Sequence, residues 1–92
     1  MIKSFAHKGL ELFHRTGKTK GIQAIHAKRL HQILTMLEAA KTAEDMGAPG
    51  LHLHPLKGAR KGIWSVTVQE NWRITFRFEA GDAEIVGYED YH

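Results

Sequence analysis

Near residue 50 the hydrophobic period of this chain changes, and that change constrains its architecture more than any other feature. Before the break, Ile22, Ile25, Leu30, Ile33, Leu34 and Leu37 recur at helical spacing while Lys28, Gln32 and Thr35 fall off the stripe, which predicts an amphipathic helix over residues 22 to 40. A shorter helix is expected around residues 5 to 15, with Leu12 and Phe13 facing the core beside Phe5, and the chain turns between Gly17 and Gly21. The Gly/Pro-rich stretch Met46-Gly47-Ala48-Pro49-Gly50 ends the helical half. Beyond it, Trp64, Val66 and Val68 alternate with Ser65 and Thr67, and Trp72, Ile74, Phe76 and Phe78 alternate with Arg73, Thr75 and Arg77. This is the period of about two that marks half-buried strands. Gln69-Glu70-Asn71 and Ala80-Gly81-Asp82 are polar connectors, so residues 63 to 92 read as an antiparallel meander of three strands, with a further strand at 51 to 53. Helices followed by strands predict an α+β fold, two N-terminal helices packed on one face of a small antiparallel sheet.

At 92 residues the chain is expected to be a single domain over 1–92, with room for one core and one site. It has no cysteine, which removes disulfides, thiolate metal sites and thiol nucleophiles together. There is no apolar run long enough to cross a bilayer and no signal-like start, so a cytoplasmic location without membrane contact is expected. The formal net charge is +3, a modest excess whose placement matters more than its sum.

Placement is uneven. Lys57, Arg60 and Lys61 sit in a glycine-punctuated loop leading into the strands, and Arg73 and Arg77 share a parity on one strand, hence one sheet face. Such a face and loop suit the phosphates of a polyanion. In the same half lie His54 and the segment Asp90-Tyr91-His92. Cleavage of RNA by a ribose 2′-OH needs a base for that hydroxyl, an acid for the leaving 5′-oxygen and a cation for the phosphoryl charge. Imidazole, carboxylate and guanidinium fill these roles without a metal. The pairs His52/His54 and Asp90/His92 also have ligand spacing, but no third fixed motif completes a site, so neither metal nor cofactor is expected. His7, His14, His26 and His31 read as solvent-facing helical residues.

The stretches Met1-Ile2-Lys3-Ser4-Phe5, Leu53-His54-Pro55-Leu56-Lys57-Gly58, Trp64-Ser65-Val66-Thr67-Val68, Asn71-Trp72-Arg73-Ile74-Thr75-Phe76 and Tyr88-Glu89-Asp90-Tyr91-His92 together resemble the HigB toxins of bacterial toxin-antitoxin modules, within the RelE-like superfamily. The resemblance implies a toxin that enters the A site of the 70S ribosome, against its 16S rRNA, and cuts the mRNA there. It also implies a HigA-like helix-turn-helix antitoxin as partner, with operator DNA contacted only through that antitoxin. The family's functional positions fall on His54, Lys57, Arg73, Asp90, Tyr91 and His92, all present here. On that basis Arg73 and Lys57 are assigned to the scissile phosphate, His54 and His92 to proton transfer, Asp90 to orienting a histidine or acting as base, and Tyr91 to stacking on a base or bonding the phosphate. Many relatives carry an acid where this chain has Ala59, which leaves its loop more cationic. Two other classes share the resemblance's scaffold or its basic face: a ParE-like toxin acting on gyrase, and an RNA-binding module that does not cut.

Overall fold

A computed structural model describes residues 1–91. The helices are α1 (Lys8–Thr16) and α2 (Ala27–Ala39), and a four-stranded antiparallel sheet runs in the order β1 (His54–Pro55), β2 (Trp64–Gln69), β3 (Trp72–Glu79) and β4 (Asp82–Asp90). Short 3-10 turns occupy Ala24–His26, Ala43–Met46 and Gly58–Arg60.

The first helix starts later than its apolar pattern suggests, because residues 2 to 6 belong to the sheet. Ile2 and Phe5 bridge Ala83 and Val86 in parallel, with Lys3 N–H and Ala6 N–H each donating at 2.8 Å to the carbonyls of those two residues. The N-terminal segment thereby covers the outer edge of β4, which would otherwise present unpaired backbone groups. His7 then caps α1, its Nδ1 accepting from Leu10 N–H at 3.0 Å. With this start the buried residues of α1 are Leu10 and Phe13, and Leu12, expected in the core, is exposed. Gly9 approaches Gly21 so closely that a Cβ there would sit 2.4 Å from a backbone oxygen, which fixes α1 against the following loop.

Within α2, Leu30, Ile33, Leu34 and Leu37 are all buried, as the stripe predicts. Ile25 is not: at 78% exposure it points outward, because it lies in the 3-10 turn, whose tighter winding breaks the helical phase. The same turn buries His26, 3% exposed, instead of leaving it in solvent. Its Nδ1 lies 2.7 Å from the Tyr88 hydroxyl, which also accepts from Gln23 N–H at 3.3 Å. Trp72 stacks on the Tyr88 ring at 4.6 Å. Burial pushes the Tyr88 phenol above its ordinary range, partly offset by the Gln23 donor.

The three-stranded meander forms as its alternation predicts. The additional strand lies at His54–Pro55 and not at 51 to 53; Leu51 is a core residue whose carbonyl accepts from Thr67 N–H at 2.7 Å. One sheet face carries Val66, Ile74, Phe76, Val86 and Tyr88 into a core shared with Leu10, Leu30, Ile33, Leu34 and Leu37. The other face is left for the site.

Candidate active site

Strand register builds the site. His54 pairs with Ser65, Ser65 with Thr75 and Thr75 with Gly87; one step along, Thr67 pairs with Arg73 and Arg73 with Glu89. Directly paired residues share a face, so two adjacent cross-strand rows lie on the side away from the helices. They enclose a cavity of about 80 Å³ with Ser65 and Thr75 at its base and His54, Arg60, Arg73, Glu89 and Tyr91 around it. A single water needs only about 10–15 Å³ by the same measure, so the cavity has room for a small polyatomic group such as a phosphate, and the rest of a nucleotide must lie outside. Two broader grooves adjoin it and share Arg60, one passing His54, Lys57 and Tyr91, the other His7, Ile85 and Gly87.

A β-bulge decides which acid faces this cavity. Thr75 pairs with Gly87 but Arg77 pairs with Glu84, so Ile85 and Val86 together oppose Phe76. Ile85 has φ +48°, a left-handed conformation that is strained for a β-branched residue and characteristic of the first position of a bulge. The extra residue flips the alternation: Ala83 faces the core before it, Val86 and Tyr88 after it. Gly87 and Glu89 are therefore turned to the site. Gly87 has to be small there, since a Cβ would lie 2.8 Å from Thr75 Oγ1.

The His54 ring is held by its own backbone. Its Nδ1 is 2.9 Å from the His52 carbonyl oxygen; a carbonyl only accepts, so Nδ1 carries the proton and the neutral ring presents Nε2 as acceptor. His52 has φ +50°, which turns that carbonyl back toward the ring two residues on. Arg73 donates from Nη1 to the carbonyls of Glu70 at 2.6 Å and Trp72 at 3.2 Å. These bonds anchor the guanidinium at the cavity with donors remaining on Nε and Nη2. Tyr91 is tied by its N–H to the Asn71 carbonyl at 2.8 Å while the residue stays 58% exposed. Arg60 reaches over from its 3-10 turn and forms a two-armed pair with Glu89, at 3.0 and 2.7 Å. Hydrogen bonding from Arg60 holds the Glu89 carboxyl below the usual range, against the upward push of desolvation, and Glu89 in turn raises Arg60.

Of the residues singled out in the sequence, the fold thus brings together His54, Arg73, Tyr91 and Arg60, with Lys57 in the adjoining groove. Lys61 is exposed in the turn after Arg60. Arg77 lies further along β3, its Nη2 held by Glu84 at 2.7 Å. Asp90 is exposed at the end of β4, paired with Trp72 in the register and of the parity of Tyr88, not that of Glu89. His92 lies outside the described residues. Among the described residues no three His, Asp or Glu side chains converge as a cation site. Alternation along β2 and β3 already turns Ser65 and Thr75 to this face, whereas Glu89 is placed only by the register and the bulge taken together.

Residues 3–92 match the family described as RelE-like toxin of type II toxin-antitoxin system HigB. The chain belongs to the HigB-like toxin family. Among relatives of this HigB-like chain is the Endoribonuclease HigB of Proteus vulgaris, 49% identical over 92 residues and matched across 100% of both chains. The helices and four-stranded antiparallel sheet of the HigB-like fold are those the sequence predicts. No helix of the described residues is long and apolar enough to span a membrane.

Proposed function

We propose that this HigB-like toxin is an endoribonuclease that cuts mRNA in the ribosomal A site and so stops translation. The observation that carries this reading is the convergence of His54, Arg73, Arg60 and Tyr91 on one phosphate-sized cavity. The name of the Proteus vulgaris relative supports the same activity.

In this reaction a ribose 2′-oxygen attacks the adjacent phosphorus, forming that bond as the bond to the 5′-oxygen breaks. His54 Nε2 takes the 2′-OH proton, and His92 or Tyr91 returns a proton to the leaving 5′-oxygen. Arg73 donates to the phosphoryl oxygens, whose charge grows toward the transition state. Lys57, from the adjoining groove, joins Arg73 at the scissile phosphate and Arg60 donates into the same cavity, while Lys61 and Arg77 meet RNA phosphates further out and Asp90 orients a histidine or acts as the base itself. Tyr91 stacks on a splayed base, a contact of about 1–3 kcal/mol. As the HigB resemblance implies, the 70S ribosome, with its 16S rRNA, presents the mRNA, a role that suits a site this open to solvent. A HigA-like helix-turn-helix antitoxin is the proposed inhibitor and the route to operator DNA, and the cytoplasm the proposed location.

The chemistry of the cut ends tests the mechanism. Attack by the 2′-OH leaves a 2′,3′-cyclic phosphate and a 5′-hydroxyl, and a 2′-deoxyribose at the cut position blocks it. A 3′-hydroxyl with a 5′-phosphate would mean attack by water and overturn the roles given to His54 and Arg73.

A further inference from the structure

Arg60 grips both oxygens of the Glu89 carboxylate, at 3.0 and 2.7 Å, and Arg73 is the partner of Glu89 in the strand register. All three line the cavity assigned to the scissile phosphate. A guanidinium fork that holds two carboxylate oxygens holds two phosphate oxygens in the same way. The Glu89 side chain therefore occupies, at Arg60, the place of a substrate anion.

The two-armed geometry orders this pair, while its exposure leaves it open to exchange. Both side chains are more than a third exposed, at 44% for Arg60 and 37% for Glu89. An ion pair so open to water and salt is weakly held. Arg60 sits in the loop between β1 and β2, flanked by Gly58, φ +68°, and Gly62, φ +96°. Arg60 also borders both adjoining grooves, so a small movement of its head keeps it on the path of an RNA backbone.

We propose that Glu89 is a positioning residue that acts as an internal stand-in for the substrate phosphate: in the free protein it occupies Arg60 and offsets its charge, and an RNA phosphate displaces it. This rests on the nuclease reading above and adds a regulatory function to its site. Free RNA must compete with an acid already in place, whereas RNA fixed by another body meets the fork at high local concentration. Glu89 thereby disfavours unproductive capture of free polyanions.

Binding of a single-stranded RNA oligonucleotide with 2′-O-methyl riboses, which cannot undergo 2′-OH attack, tests this without reference to cleavage. Followed by fluorescence anisotropy across a salt series, Glu89→Gln is expected to bind roughly three- to tenfold more tightly than the unaltered protein at low salt. Its log–log salt slope should steepen by about 0.7, the value for one more neutralised phosphate on a single strand. In an Arg60→Ala background the same change should gain less than about twofold. Equal or weaker binding by Glu89→Gln, or a gain that persists without Arg60, would overturn the proposal. Both side chains are exposed, so folding is not at stake, and a circular dichroism melt confirms it. If the unaltered protein failed to cut mRNA on ribosomes, the nuclease reading would fall while this comparison still reported on Glu89.

Discussion

His54 Nδ1 donates to the carbonyl of His52, two residues back, across 2.9 Å. The backbone itself thus sets the tautomer of a ring that lines the cavity with Arg73 and Tyr91. His54→Asn separates the two roles of the ring, because the amide N–H still reaches the carbonyl but no nitrogen remains to accept a proton. Cleavage is expected to fall by about 10²–10⁴-fold with the thermal midpoint little changed. Retained cleavage in a translating extract would remove His54 from proton transfer.

Arg73 is held by the carbonyls of Glu70 and Trp72, so its guanidinium is fixed before any substrate arrives. Such preorganised donors act mainly on transition-state charge. Arg73→Ala should lower the cleavage rate by about 10²–10³-fold and ribosome binding much less. Rates and sedimentation with ribosomes measure the two separately; equal loss of both would make Arg73 a docking residue.

Behind the site, the buried pair of His26 and Tyr88 links the entry of α2 to the strand that carries Glu89. Tyr88→Phe leaves the His26 Nδ1 and the Gln23 N–H without the hydroxyl that each contacts. An unsatisfied buried polar group costs about 1–3 kcal/mol, and in a domain of this size each kcal/mol lowers the thermal midpoint by roughly 4–8 °C. Calorimetry checks the fall. An unchanged midpoint would show the hydroxyl to be dispensable.

How much of this was legible in the sequence depends on phase. The stripe of α2 and the alternation of β2 and β3 persist over many residues, so tertiary packing had no reason to override them. Ile25, Leu12 and His26 depart from their expected positions because one 3-10 turn and one late helix start shift the phase, which composition does not mark. The acid at the cavity was hidden for a related reason. The bulge at Ile85 inverts the parity of everything after it, and the residue at its positive-φ position is an isoleucine, not the glycine that usually announces such a turn. Proximity of His54 to Tyr91 likewise depends on a two-residue strand, too short to leave a pattern.

The Glu89 carboxyl is depressed in the folded protein, chiefly by its hydrogen bonds from Arg60. A depressed folded value means stability that is present above the unfolded pKa, about 4.3, and is lost as pH falls through the lower folded value. With both partners over a third exposed, the effect is at most about 1 kcal/mol after screening. Melts between about pH 6 and 3 should show a shallower decline for Glu89→Gln than for the unaltered protein. Parallel curves would mean the pair adds nothing to stability.

Whether this cavity cuts mRNA on the ribosome can be read from the mRNA 5′ ends. The purified protein is added to a translating cell-free extract and, in parallel, to the same RNA without ribosomes, each beside His54→Asn. The account predicts new ends within codons only in the translating sample and only with the unaltered histidine. Cuts in both samples would make the protein a free ribonuclease, and an extract whose translation stops with its mRNA intact would contradict the claim outright.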